Sequence, residues 1–285
     1  MSTHGGKLIR VITPIACIAL LISTPTDALA QNWKGFYVGG SIGAAMQPDD
    51  DDETVTFDTN LDGTFTDTIR TVAGANAFSP GFCGGLANGP AAAAGCADDE
   101  DGIDFGGRAG YDWQVGPLVF GAVAELSRPD VRDSVTAFSI TPAFYSFTRE
   151  LNMLAGLRGR VGAGTDRIMV YGTAGAAWGW VDQAFTTSNA VNTFVAVNQD
   201  GDGDSQGATG YQAGGGIEVK LGARLSVVGE YLFTSLDNRD ESTIRTQGPA
   251  PATNPFILVN AAGTELRRTD RFDFQSARVG LNFRF

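Results

Sequence analysis

Eight segments of the chain alternate apolar residues with polar or small ones, the period of two that an extended strand imposes on its side chains. Segment 33–46 sets Phe36, Val38 and Ile42 on one face, and 103–115 sets Phe105, Ala109, Tyr111, Trp113 and Val115. Segment 118–127 carries Leu118, Phe120, Ala122, Ala124 and Leu126, and 146–162 carries Phe147, Leu151, Met153, Ala155, Leu157 and Val161. Segment 168–181 follows with Ile168, Val170, Ala174, Ala176, Trp178 and Trp180, then 211–221 with Ala213, Ile217 and Val219, and 225–236 with Val227, Tyr231 and Phe233. The last, 271–285, reads RFDFQSARVGLNFRF; Ala277, Val279, Leu281, Phe283 and Phe285 alternate with Ser276, Arg278, Gly280, Asn282 and Arg284. Each segment supplies the roughly nine to eleven residues that a tilted membrane strand needs, and no stretch beyond residue 30 has the roughly eighteen apolar residues of a helical span.

The connections alternate too. Gly116-Pro117, 162–167 and 222–224 are short, whereas 47–102, 128–145, 182–210 and 237–270 are long. Short turns on one side and long loops on the other are the pattern of a transmembrane β-barrel, and an even strand count puts both chain ends on the short-turn side. Trp33, Phe36, Tyr111, Trp113, Trp178, Trp180, Tyr231, Phe283 and Phe285 cluster near segment ends, where aromatic girdles meet the membrane interface.

Three stretches carry a family likeness: WKGFYVGGSIG at 33–43, GGRAGYDWQVGPLVFGAVAEL at 106–126, and the closing GLNFRF. Together they resemble the small porin-like outer-membrane β-barrel family, related to the OmpA transmembrane domain and the opacity proteins. The resemblance implies an all-β fold: an eight-stranded antiparallel up-and-down barrel in the bacterial outer membrane, with periplasmic termini. It implies contact with membrane lipid and lipopolysaccharide, insertion by the barrel-assembly machinery with Phe283 and Phe285 in the assembly signal, and loops open to a surface ligand. Family members serve as porins, surface antigens or envelope-stabilising proteins, so no single activity is implied. The first loop is longer than the family pattern, and the peptidoglycan-binding domain of full-length OmpA is not expected in a sequence that stops at Phe285.

At the other end, Lys7 and Arg10 precede an apolar run over 11–22, a polar stretch and the A-x-A site Ala28-Leu29-Ala30. This is the layout of a secretory signal peptide over 1–30, leaving 31–285 as the barrel. Cys17 lies inside the apolar run behind a poor lipobox, so lipidation is not expected. The formal charge of −12 becomes −13 without residues 1–30. Such a chain lacks the basic footprint of nucleic-acid binding and suits a surface facing divalent cations. The one histidine, His4, lies in the signal segment. Outer-membrane barrel enzymes resemble one another in using a histidine as base or base partner, so catalysis is not expected. Cys83 and Cys96 are the two cysteines left after cleavage, and an oxidising periplasm should pair them.

Parity places Gly106, Arg108, Asp112, Gln114, Glu125, Glu150, Asn152, Arg158, Arg160, Glu218, Lys220, Glu230, Arg278 and Arg284 inside the barrel. If Gly116-Pro117 closes a tight hairpin, Arg108 falls opposite Glu125. Arg108, Glu125, Glu150, Arg158, Arg160, Glu218, Glu230 and Arg278 then form a lumen charge network. It reads either as a gate or selectivity filter or as a structural filling, and eight strands leave room for little but side chains.

In the loops, the acidic runs 49–53 and 98–101 read as solvated charge or as sites for divalent cations bridging to lipopolysaccharide. Asp58, Asn60, Asp62 and Gly63 match the first half of a calcium loop, but Ile69 stands where the closing glutamate belongs. The same residues read as the turn of a threonine-rich hairpin over 53–72, which raises a ten-stranded alternative. Its apolar face is too thin for lipid, so it reads as a projection above the membrane. Asp200, Asp202 and Asp204 repeat the acidic spacing without a closing glutamate. No confident metal site and no cofactor are expected. Two functions stay open: a structural or surface-interacting envelope protein, and a diffusion channel for small solutes.

Overall fold

The computed structural model describes residues 33–47, 53–99, 101–197, 206–237, 243–269 and 271–285. The signal segment, most of the acidic run 49–53, and Asp200, Asp202 and Asp204 lie outside the described residues. In chain order the strands are β1 (Gly35–Met46), β2 (Val55–Asp58), β3 (Gly81–Gly84), β4 (Leu86–Ala87), β5 (Cys96–Ala97), β6 (Gly102–Val115), β7 (Leu118–Pro129) and β8 (Arg132–Ser139). They continue with β9 (Ala143–Gly164), β10 (Ile168–Thr187), β11 (Thr193–Ala196), β12 (Gln206–Lys220), β13 (Leu225–Asp237), β14 (Ile244–Gln247), β15 (Thr264–Arg268) and β16 (Phe272–Arg284).

Eight of them close into an antiparallel ring in the order β1, β6, β7, β9, β10, β12, β13, β16 and back to β1. The ten-stranded alternative is not built. At the tightest turn Val115 pairs with Leu118, and Gly116 takes a φ of 58°. A glycine with positive φ before a proline is the arrangement of a II′ hairpin, whose twist matches that of the strands it joins. The ring is apolar outside and charged inside, the reverse of a soluble domain. Ile42, Val115 and Val279 are 62%, 70% and 60% exposed, whereas Arg158 and Glu218 are 1% and 0% exposed.

Two readings of the loops are corrected. The stretch 128–145 is mostly strand: β7 breaks at Pro129, resumes as β8, and turns back into β9, so this hairpin rises well above the apolar band. Its strands continue because Val135, Ala137, Tyr145 and Phe147 have an apolar core to face. The stretch 53–72 is not a regular hairpin. Val55–Asp58 pairs instead with β15, and the two arms are linked by the isolated bridge Phe57–Asp67 and by the Thr59 amide and hydroxyl, which donate to Asp67 Oδ2 at 2.9 and 2.7 Å.

β2, β15, β14 and β11 form a four-stranded sheet at the loop end of the barrel, and β3 adds to the edge of β8. The resulting cap has its own apolar core, with Phe57, Ile69, Phe78, Tyr145, Phe147, Phe256 and Leu266 buried together. Burial of this kind stabilises by roughly 25 cal/mol per Å² of apolar surface, so segments that pattern alone reads as loops are held as folded structure.

Candidate functional site

The long strand β9 crosses every layer of the interior. From the short-turn end, its buried side chains include Arg160, Arg158, Leu154, Leu151, Arg149, Phe147 and Tyr145.

The floor is an aromatic plug. Trp33 is fully buried among Val119, Met169, Tyr171 and Val228. Its indole Nε1 donates to the Thr165 carbonyl at 2.8 Å, and its backbone amide donates to Gln114 Oε1 at 2.6 Å. The Lys220 ammonium stands 4.3 Å from its ring centroid.

Above it lie two connected rings of ion pairs. In the lower ring, Arg160 makes a two-point contact with Asp112 and reaches Glu218 at 3.2 Å. Arg284 meets the same two carboxylates at 2.8 and 3.4 Å. In the upper ring, Arg108, Arg158 and Arg278 surround Glu125 and Glu230; Arg158 lies 3.2 and 3.3 Å from the two, and Arg108 lies 3.5 Å from each. Arg278 bonds both, with 2.7 Å to Glu230, and reaches Asp104 at 3.3 Å. Five guanidiniums thus face five carboxylates, Asp104, Asp112, Glu125, Glu218 and Glu230, and the formal charges cancel. Such pairing meets the demand that a charge taken out of water be matched at close range. It also leaves no excess charge to select an ion.

Over the ion pairs sits an apolar septum. Ala45, Val131, Leu151, Leu154, Ala177, Val181, Ala208, Leu236, Phe272 and Phe274 are buried as one cluster. Higher still, Asp133 pairs with Arg149 and with Arg268 at 2.8 Å, and Arg268 also pairs with Glu53 at 3.0 Å. Asp99 joins this group through Oδ1, which accepts the Ser134 amide proton at 2.8 Å. Burial and then the Asp133 carboxylate push Asp99 up to about 7. The carboxylate oxygens of Glu53, Asp99 and Asp133 lie within 4.8 Å of one another, with the Arg268 and Arg149 guanidiniums among them.

The network expected from sequence is therefore brought together at Arg108, Glu125, Arg158, Arg160, Glu218, Glu230 and Arg278. Glu150 is a correction. It pairs with Arg132 at 3.1 Å, with 40% of its side chain exposed, and does not face the lumen charges. The reason is a bulge. Trp180 pairs with Met153 but Val181 pairs with Leu151, so Asn152 is an extra residue in β9. Everything beyond it changes face: Leu151 and Arg149 turn inward, and Glu150 turns out. The expected network omits Asp104, Gln212 and Tyr171, although alternation turns all three inward. Gln212 accepts from Arg158 at 2.7 Å, and the Tyr171 hydroxyl donates to Glu230 at 2.8 Å. Each had a signal: Asp104 shares the parity of Arg108, Gln212 that of Glu218, and Tyr171 alternates with the outward Val170.

The remaining expected residues fall as follows. Asp58 Oδ1 accepts from the Leu61 amide and Oδ2 from the Gly63 amide, both at 2.7 Å. Asn60 Oδ1 accepts from the Asp62 amide at 2.9 Å, and Asp62 Oδ1 from the Thr64 amide at 2.8 Å. These side chains shape a turn in which Leu61 and Gly63 take positive φ. Cys83 and Cys96 are joined as a disulfide within the first loop. Phe283 and Phe285 project outward with ring centroids 5.2 Å apart, and Phe285 stacks at 5.7 Å on Phe36.

Comparison with known proteins agrees with this architecture. The 31 kDa outer-membrane immunogenic protein of Brucella melitensis is 26% identical over 234 residues, covering 77% of this chain and 85% of the relative. The 22 kDa outer membrane protein of Rhizobium leguminosarum is 28% identical over 48% of this chain and 54% of its own length. Among solved structures, the outer membrane protein OprG of Pseudomonas aeruginosa superposes with a TM-score of 0.50 at 13% identity, covering 90% of this chain and 99% of OprG, a likeness of fold. The model of the outer membrane protein beta-barrel domain matches residues 15–285. The chain belongs to that family and is a β-barrel protein of the bacterial outer membrane.

Proposed function

We propose that this protein is a closed barrel that serves the envelope through its loop end, as a structural and surface-interacting protein. The observation that carries the reading is the triple closure of the lumen by the Trp33 floor, the neutral ion-pair rings and the septum, all beneath a cap with its own core. A diffusion channel needs a continuous wet path, and each of these layers would have to open. The pattern of relatives accords with this reading, since the Brucella protein is by name an outer-membrane immunogenic protein. Catalysis forms no part of the proposal, because no histidine is present beyond His4.

The partners belong to the same proposal. Outward Phe283 and Phe285 offer the closing strand to the assembly machinery, and exposed Asp98 and Asp101 offer carboxylates to cations shared with lipopolysaccharide. The decisive experiment is single-channel recording of the purified barrel in planar bilayers. Absence of steady conductance is the expected result; large, stable openings from the unmodified protein would overturn the closed reading in favour of a porin.

A further inference from the structure

The cap contains a cavity of about 260 Å³ where segments of all four long connections meet. Its floor is Phe78, Tyr145 and Phe256, three buried aromatics packed at centroid distances of 5.2, 5.5 and 5.9 Å. Its rim is exposed and partly apolar, with Ile140 44% and Val191 55% exposed, so the floor is reached from solvent between the β8–β9 turn and residues 188–191.

Three properties define what would fit. First, none of the sixteen lining residues is charged, in a chain of net charge −12. A charged ligand would lose its hydration there with nothing to replace it. Second, the lining offers hydrogen-bond donors. The Thr71 hydroxyl accepts the Ala75 amide proton at 3.2 Å and the Ser188 hydroxyl accepts that of Phe144 at 3.1 Å. A hydroxyl that accepts still has its own proton to give. Burial pushes the Tyr145 phenol up, so it too stays protonated. Third, the walls are held in place. Asn192 Oδ1 accepts from Asn189 at 3.1 Å and from Asn254 at 3.0 Å, tying the third and fourth connections together, and Asn189 also donates to the Tyr145 hydroxyl at 3.0 Å. A preformed cleft of apolar walls with a few fixed polar groups is the usual form of a small-molecule site. An apolar cavity of about 150 Å³ takes benzene, so this one is larger than a single ring requires.

From these features we infer that the cavity is a binding site for a neutral, mainly apolar small molecule, larger than one benzene ring and bearing a hydrogen-bond acceptor. The inference rests on reading the loop end as the interacting end and gives that end a ligand class.

The test uses the full barrel in lipid nanodiscs, with 2-naphthol as neutral probe and 2-naphthoate as its charged counterpart. Equilibrium dialysis, corrected with empty nanodiscs, should show saturable binding of one naphthol per protein and binding of naphthoate weaker by about tenfold or more. Ala190 is exposed on the rim, so Ala190→Trp should fill the mouth and weaken naphthol binding by a similar factor while the heat-modifiable mobility of the barrel is retained. Val191→Asp, which places a charge at the mouth, should do the same without adding bulk. Lack of saturable naphthol binding, equal binding of naphthoate, or indifference to both variants would each overturn the inference. Conductance recording on the same purified protein in planar bilayers reports on the closed lumen separately, so the two readings can fail independently.

Discussion

Arg108 on β6 and Glu125 on β7 stand directly opposite each other, with Arg108 Nε 3.5 Å from Glu125 Oε2. The pair is part of a larger knot, because Glu125 also takes Arg158 at 3.2 Å and a hydrogen bond from Arg278. Removing it leaves three buried guanidiniums to share Glu230 and Asp104. Glu125→Ala should therefore cost about 3–5 kcal/mol, the range for breaking a buried charge cluster from one side. Urea unfolding in vesicles would measure this; a loss below about 1 kcal/mol would mean that the rings carry no such load.

The same substitution should not open the barrel. The septum of Leu151, Leu154, Phe272 and Phe274 closes the lumen above the ion pairs, and apolar constrictions block ions by staying dry. Steady conductance is expected only when the Trp33 floor and the septum are opened as well, for instance in Glu125→Ala combined with Trp33→Ala, Leu154→Ser and Phe274→Ser. The current should then favour anions, because unpaired arginines line the path. Cation preference in the quadruple variant would contradict the assignment of Arg108, Arg158 and Arg278 to that path.

The membrane part of this fold was legible because its signals are local. Alternation sets which face meets lipid, and Gly116-Pro117 sets the β6–β7 register, so the Arg108–Glu125 pair follows from counting. Glu150 was misplaced because one extra residue in a strand leaves no mark in the pattern of apolar positions. The cap was illegible for another reason. Val55–Asp58 pairs with Thr264–Arg268 across two hundred residues of chain, and nothing local in either segment names its partner.

The bulge supports a sharper test. The two sides of β9 shift register in opposite senses: against β10 the extra residue lies in β9, since Met153 pairs with Trp180 but Leu151 with Val181, while against β7–β8 it lies in the other strand, since Leu154 pairs with Ser127 but Glu150 with Arg132. Deleting Asn152 makes the β9–β10 ladder regular and leaves a two-residue surplus at the break between β7 and β8, an even number that keeps every other residue on its present face. The deletion should fold, with the Arg149–Asp133 pair intact. Inserting an alanine between Trp180 and Val181 adds a residue to β10 opposite the bulge and turns Leu151 and Arg149 outward. That variant should lose protease resistance above the membrane. Equal damage from deletion and insertion would count against the bulge as the cause of the inversion.

The disulfide joins residues 13 apart within the first loop, next to the β3–β8 pairing. Chain entropy gives such a closure about 3 kcal/mol, acting on the loop. Cys83→Ser should make residues 81–99 sensitive to protease while the barrel keeps its heat-modifiable migration. Collapse of the whole barrel in this variant would show that the bond matters beyond its loop.

Asp99 gives the cap a pH dependence whose sign can be fixed in advance. Its carboxyl is pushed up to about 7, by burial first and by the neighbouring Asp133 second, against the Ser134 amide and the Arg268 and Arg149 guanidiniums. In an unfolded loop the same group titrates near 3.9. A folded pKa above the unfolded one means that the folded form holds the proton more tightly. The contribution is therefore fully present below about pH 4 and is lost as pH rises through 7. Attachment of the end of the first loop to β8 should weaken over that window and level off above it. Asp99→Asn, neutral throughout, isolates the effect from the other carboxylates. Hydrogen exchange of the Ser134 amide, which donates to Asp99, is the readout once corrected for the intrinsic rate. In the native protein its protection should fall between about pH 4 and 7 and level off above that, and in Asp99→Asn it should stay nearly constant. Identical pH profiles in the two proteins would remove Asp99 as the titrating group.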